Sequence, residues 1–411
     1  MMKKYSIIAL IACVALMSAC GPKDPGLKDA YKKYFKIGVA VTERNVQDPD
    51  QAALILKEFN SITAENCMKP GELHPEPGVW NFEKADIIAN FCREHGIKMR
   101  GHNLVWHSQF ATWMFTKHDA NGNPVVELDA KGDTVWVERR SFRRPAPGET
   151  PSFTPGSMPP MEVTMVPKYV AASKEEFYDS LKVHIQTVVN RYKDVVYCWD
   201  VVNEAMSDSD NINASYDDSF RKSQAYQLCG DEFIKNAFIW AHEADPNAGL
   251  FYNDYSAWTP AKRTYIYNMV KKLQSEGAPI TGIGMQGHYN IFDNPTLEDF
   301  EKAINMYLEL VDDIQITEFD IRINEEAGGG LQFSRGEGQQ YTEEIQKMQE
   351  KKYKDLFAIM RKYSKNISSV TFWNVSDRDS WLGANNYPLL FDSEYQRKPV
   401  YYTVRDFKKN K

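Results

Sequence analysis

The chain has 411 residues, 43% apolar, 26% charged and 13% aromatic, which excludes a disordered or collagen-like polymer and provides for a large packed interior. Its formal charge of −7, with no basic stripe, excludes the phosphate-neutralising surface that nucleic-acid binding needs. A neutral or polar small substrate suits it better than a polyanion.

Lys3 and Lys4 precede an uncharged run at 7–17 and then small residues up to Cys20, the order of an export signal. Roughly 11 apolar residues are too few to cross a bilayer, which takes about 20. Leu16-Met17-Ser18-Ala19-Cys20 is similar to the signal of bacterial lipoproteins, in which the cysteine becomes the acylated first residue. The expected organisation is a signal peptide at 1–19, a lipidated tether at 20–33 and one folded domain at 34–411. The protein is then exported and lipid-anchored to the outer membrane or cell surface, with a periplasmic or secreted protein as the alternative. The remaining cysteines, Cys67, Cys92, Cys198 and Cys229, contain no C-x-x-C pair, so buried thiols are expected rather than a thiolate zinc site.

Beyond the tether, short apolar runs alternate with helical stretches. Strands are predicted at 35–41, 61–64, 98–106, 195–202, 249–253, 283–286, 314–317 and 370–373. Helices are predicted near 51–59, 82–95, 173–192, 231–244, 259–276, 297–310, 342–363 and 400–407, the third opened by a Ser173/Glu176 capping box. Continuous apolar strands spaced by helices indicate a parallel sheet buried on both faces. Eight such units predict an α/β protein, a closed (β/α)₈ TIM barrel. A doubly wound open sheet is the alternative, disfavoured because no Gly-rich turn follows the first strand. Residues 110–172 are a long insertion after the third strand. Turn signals at 121–124 and 131–133 within it predict a small β excursion, and 145–167, with seven prolines, an irregular stretch. Leaving the C-terminal end of a strand, this insertion is expected beside the site.

The chemistry gathers where the strands end. Glu65, Asn66 and Lys69 follow the second strand; His102, Trp106 and His107 close the third; Asp200, Asn203 and Glu204 the fourth. Asn253 and Asp254 close the fifth, Gln286 and His288 the sixth, Glu318 and Asp320 the seventh, and Trp373 the eighth. A barrel brings these ends to one cavity. Glu204 and Glu318 are opposed carboxylates, the pair glycosidic cleavage needs. Trp106, Trp373 and Trp381 can stack on sugar rings, while Trp199, inside an apolar strand, is assigned to the core. Reading His102, His107, His288, Glu318 and Asp320 as zinc ligands is the competing view, but it leaves the glutamate pair unexplained.

Five segments, 63–70, 101–109, 199–204, 284–288 and 316–320, together resemble glycoside hydrolase family 10, the endo-β-1,4-xylanases, in the family's order. The resemblance implies a (β/α)₈ barrel and retaining hydrolysis of β-1,4-xylan; no metal or cofactor and a monomer are expected. It implies that Glu204 is the acid/base and Glu318 the nucleophile. Asp200 would orient that nucleophile together with His288, with Asn203 in support. Lys69, His102, Trp106, Gln286 and His288 would line the subsite beside the cleaved bond. Glu65, Asn66 and Gln109 would line the next subsite out, and Trp373 and Trp381 would form the aromatic platform. Asn374 stands where the family usually has glycine and Leu382 where it has a basic residue. Gln109 and Trp381 are the candidates for excluding glucose's hydroxymethyl group, a discrimination worth only about 1–3 kcal/mol. The other functional readings are a retaining barrel glycosidase on another β-linked glycan and a non-catalytic glycan-binding lipoprotein.

Overall fold

In the computed structural model, which describes residues 24–142, 161–292, 294–324 and 340–408, eight parallel strands close on one another. They are β1 (Lys36–Val41), β2 (Ser61–Ala64), β3 (Lys98–Trp106), β4 (Val196–Asn203), β5 (Gly249–Asp254), β6 (Gly282–Met285), β7 (Asp313–Arg322) and β8 (Ile367–Phe372). Each pairs with the next in the chain, and β8 pairs back to β1. Helices Pro49–Glu58, Glu83–His95, Lys174–Tyr192, Glu232–Ala244, Pro260–Ser275, Leu297–Tyr307, Glu343–Lys362 and Pro399–Arg405 follow the strands in turn and cover the barrel. This is the predicted (β/α)₈ barrel. Its strands are buried on both sides, as a parallel sheet covered by helices requires. The Ser173/Glu176 capping box opens the Lys174–Tyr192 helix as expected.

Register carries the strand-end residues to their neighbours. His102 stands opposite Asp200, and Trp106 opposite Asn203. Asn203 in turn stands opposite Asn253. Past β6, the short strand His288–Asn290 pairs with the end of β7 and sets His288 opposite Asp320. Two glycines make room for bulk inside the barrel. A Cβ on Gly101 would lie 2.1 Å from the fully buried Trp199 ring, and one on Gly284 would lie 2.3 Å from Asn253 Oδ1.

The lower end of the barrel revises the expected tether. Residues 24–33, grouped with it on polarity, are instead built into the domain. Helix Leu27–Tyr31 buries Leu27 and Tyr31 completely, and Tyr31 stacks on Phe35. Asp24 pairs with Arg397 and Lys57, and the Leu27 amide donates to Glu58. The apolar i, i+4 pair Leu27/Tyr31 outweighs the lysines around it. Residues 1–23, with the signal and Cys20, lie outside the described residues.

The insertion after β3 is a β excursion, as predicted. Asp119 accepts the amides of Asn121 and Asn123, and Asp129 those of Lys131 and Asp133, closing two tight turns. Beyond them Trp136–Phe142 and Met161–Pro167 pair as an antiparallel ribbon. Of the stretch at 145–167 expected to be irregular, 161–167 is instead this ribbon's second strand, held by its backbone pairing, and 145–160 lies outside the described residues. The four cysteines, Cys67, Cys92, Cys198 and Cys229, are buried and unpaired.

Candidate active site

Glu204 immediately follows β4. Its backbone is left-handed, φ 56°, a conformation that costs a non-glycine residue about 1–3 kcal/mol and clusters at functional sites. Its amide donates to the Asn253 carbonyl at 2.9 Å, while Arg221 Nε donates to its own carbonyl at 3.1 Å. The carboxyl is 7% exposed. Oε2 accepts from Trp106 Nε1 at 2.7 Å, and Oε1 from Gln286 Nε2 at 2.8 Å and Asn203 Nδ2 at 3.3 Å. Burial first, and then the charge of Asp254, push its pKa up to about 7 against those hydrogen bonds, with Glu318 adding a smaller push. Near neutral pH this group holds a proton that it can give away.

Glu318, within β7, is 5% exposed and tuned the other way. Burial alone would raise its pKa, but the hydrogen bond from His288 and the nearby His102 and His288 rings carry it below the ordinary carboxylate range. His288 Nε2 lies 3.2 Å from Glu318 Oε2, and Nδ1 lies 2.8 Å from Asp320 Oδ2. Burial disfavours the imidazolium, yet the Asp320 charge and bonds to both carboxylates raise the His288 pKa to about 10. Glu318 therefore faces a cationic donor. Its other oxygen accepts from Asn253 Nδ2 at 2.9 Å, an amide fixed by Thr317 Oγ1 on Asn253 Oδ1 at 2.7 Å.

One set of amides joins the two carboxylates. Asn253 Nδ2 also donates to Asn203 Oδ1 at 2.9 Å, and Asn203 reaches Glu204. Gln286 donates to Glu204 from its side chain, and its carbonyl accepts the Glu318 amide at 2.6 Å. Lys69 Nζ lies 4.9 Å from the Trp106 ring centre and donates to Asn66 Oδ1 at 2.8 Å. Burial lowers its pKa, opposed by Glu318, Glu65 and Glu204. Glu65, raised by burial, is hydrogen-bonded by Asn374 and Asn66. Trp373 is 5% exposed, edge-on to His102 at 5.2 Å, so it forms the floor rather than an open platform. Trp381 is 37% exposed, lies 4.7 Å from the His288 ring centre and donates to Asp320 at 2.9 Å. Gln109 lies exposed past β3, left-handed at φ 46°, and its carbonyl takes the Gly71 amide. Asn374, in the glycine position of the resemblance, has φ 94° and accepts the Trp381 amide at 3.3 Å. Leu382 is buried.

One assignment is corrected. Asp200, expected to orient Glu318 together with His288, bonds neither of them. It is fully buried against the Arg100 guanidinium and bonds His102 Nδ1 at 2.8 Å. The carboxylate holding His288 is Asp320, because the short 288–290 strand pairs with β7 rather than β4. Asp320 and Asn253, strand-end polar residues in the sequence, are the supports of His288 and Glu318. In the metal reading the same side chains would converge on one ion. Instead His102 and His288 are each taken up by a carboxylate. Among the described residues no group of three His, Cys, Asp or Glu is disposed to hold a metal.

A protonated carboxyl and an ionised one, joined through Asn203, Asn253 and Gln286, can protonate a leaving group and attack a carbon in the same step. The sequence pattern of glycosyl hydrolase family 10 matches residues 26–131 and 163–407. The chain belongs to glycosyl hydrolase family 10. Residues 132–162 lie outside that match. Among family 10 relatives, an endo-1,4-beta-xylanase/feruloyl esterase of Xylanibacter ruminicola is 51% identical over 389 residues, 93% of this chain. The chain spans 47%, about half, of that longer protein. Endo-1,4-beta-xylanase B of Paenibacillus barcinonensis is 38% identical, covering 92% of this chain and 97% of its own. The solved structure of a psychrophilic family 10 endo-beta-1,4-xylanase superposes with a TM-score of 0.75 at 49% identity, covering 93% of this chain and 99% of that one. The protein is a glycoside hydrolase with this family's barrel.

Proposed function

We propose that this family 10 hydrolase cleaves internal β-1,4-xylosidic bonds of xylan with retention, through a covalent glycosyl-enzyme on Glu318. The observation that carries this reading is the opposed tuning of two bridged glutamates: Glu204 held protonated to about 7, Glu318 held ionised beside His288. Glu318 attacks the anomeric carbon while Glu204 passes its proton to the departing oxygen. Glu204, now a base, takes a proton from the water that hydrolyses the ester, and both residues return to their starting states. Asn203, anchored by Asn253 and Gln286, is placed for the sugar 2-hydroxyl, a contact that strengthens in the transition state. Lys69, Asn66, Glu65 and the half-exposed Trp381 supply hydroxyl and ring contacts to the adjoining sugars. The xylanase relatives support xylan as the substrate.

Reducing-sugar release from xylan and from carboxymethylcellulose tests the substrate. Faster cleavage of xylan is expected, and faster cleavage of the cellulose derivative overturns the xylanase reading. Absence of release from any β-glycan would favour the silent binder. Export with lipid attachment at Cys20 belongs to the same proposal, supported by Lys3, Lys4 and the run before Cys20. No helix of the described residues is long and apolar enough to cross a membrane. Incorporation of labelled palmitate that disappears in Cys20→Ala is the expected result, and equal labelling of both contradicts it.

A further inference from the structure

Behind Glu204 lies a buried polar cluster that never touches its carboxyl. Tyr252 and Asp254, on β5, are both fully buried. The Tyr252 hydroxyl donates to Asp254 Oδ2 at 2.5 Å, and it accepts the amides of Ala205 at 3.0 Å and Met206 at 3.2 Å. A phenol has one proton and two acceptor sites. With its O–H directed at Asp254, the hydroxyl oxygen is free to accept the two amides that follow Glu204. Lys262, buried on the Pro260–Ser275 helix, closes the other side. Its Nζ lies 3.4 Å from Asp254 Oδ1, 3.4 Å from the Met206 carbonyl and 2.8 Å from Asp208 Oδ1. Met206 is thus held by its amide and by its carbonyl. These contacts fall on the residues directly after the one left-handed position in the catalytic pair, Glu204 at φ 56°.

We propose that Tyr252 is a positioning residue for the acid/base: charged by no proton transfer itself, it fixes the main chain after Glu204 so that the strained backbone aims the carboxyl at the leaving-group oxygen. This rests on Glu204 being the acid. A misplacement of about 1 Å remote from the chemistry can cost roughly 10²-fold in rate. Asp254 serves by accepting the phenolic hydrogen bond, and its charge also acts on Glu204 through space.

Leaving groups separate positioning of the acid from a general loss of fold. A 2,4-dinitrophenolate departs without a proton, whereas a phenolate or a sugar needs one. In Tyr252→Phe, which keeps the ring, kcat/KM for phenyl β-xylobioside falls about 10- to 100-fold. With the dinitrophenyl substrate it falls less than about threefold, kcat and KM falling together because Glu204 is also the base of the second step. Lys262→Met, freeing the Met206 carbonyl, shifts the ratio the same way and carries the test should Tyr252→Phe not fold. Tyr31→Phe is the comparator, losing a buried bond to the Val404 carbonyl at the other end of the barrel, and its ratio matches wild type. Equal losses on both substrates, or none, overturn the proposal. Glu204→Gln is run alongside. If it lacks the leaving-group dependence, the acid assignment itself is wrong; if it has the dependence and neither Tyr252→Phe nor Lys262→Met does, only the clamp fails.

Discussion

Glu204→Gln should both cripple the enzyme and stabilise it. Proton delivery is worth about 10²–10⁴ in rate, or about 3–5 kcal/mol of barrier, so kcat/KM on unactivated xylosides should fall by that factor. With Glu204 at about 7, wild-type kcat/KM should decline above neutrality as the acid ionises. That alkaline limb should vanish in the variant, which has no proton to lose. The stability effect has a fixed sign. Glu204's folded pKa stands above its ordinary 4.5, so ionisation works against the fold. The penalty is absent below about pH 4.5, grows as pH rises to about 7, and reaches up to about 3 kcal/mol at 1.36 kcal/mol for each pKa unit. Gln, uncharged at every pH, escapes it. Urea denaturation at pH 5 and at pH 8 checks this: the variant's advantage should appear at pH 8 and shrink at pH 5. A variant that keeps the alkaline limb, or whose stability difference is the same at both pH values, would refute the assignment of a buried protonated acid.

Other perturbations probe the supports. Asp320→Asn removes the charge that keeps His288 cationic, so Glu318 loses its charged donor; the acid limb of kcat/KM against pH should move upward, and an unmoved limb contradicts the His288–Asp320 assignment. Arg100→Met strands the buried Asp200 with only His102 for a partner, and urea denaturation should show a loss of about 3–5 kcal/mol. His184 is buried beside His74, with its pKa pushed down by burial to about 3. A base depressed in the fold contributes stability that is intact above about pH 6.5 and lost as pH falls. His184→Phe should therefore lose less stability than wild type between pH 6.5 and 4, and parallel losses would contradict it.

The barrel was legible because short, largely apolar runs that end in polar residues alternate with helical stretches eight times, and closure requires all of those ends to meet. The glutamate pair followed from the same pattern. What the chain order hides is which aspartate answers which histidine. His102 and Asp200 are 98 residues apart and His288 and Asp320 are 32 apart, and only the register of β3 on β4 and of 288–290 on β7 decides the pairing. Leu27 and Tyr31 were readable as an apolar helical pair, yet three lysines at 28, 32 and 33 gave the segment the look of a solvated tether. The tuning of Glu204 by Asp254 was out of reach, since both groups are neighbours only through the β4–β5 register and the backbone turn after Asn203.

Trapping the enzyme with a 2-deoxy-2-fluoro xylobiosyl donor, followed by mass mapping of the labelled peptide, addresses the chemistry most directly. The sugar should be found esterified to Glu318 at one equivalent per chain. A label on Glu204, or rapid turnover with no covalent adduct and an inverted product, would contradict double displacement at this pair.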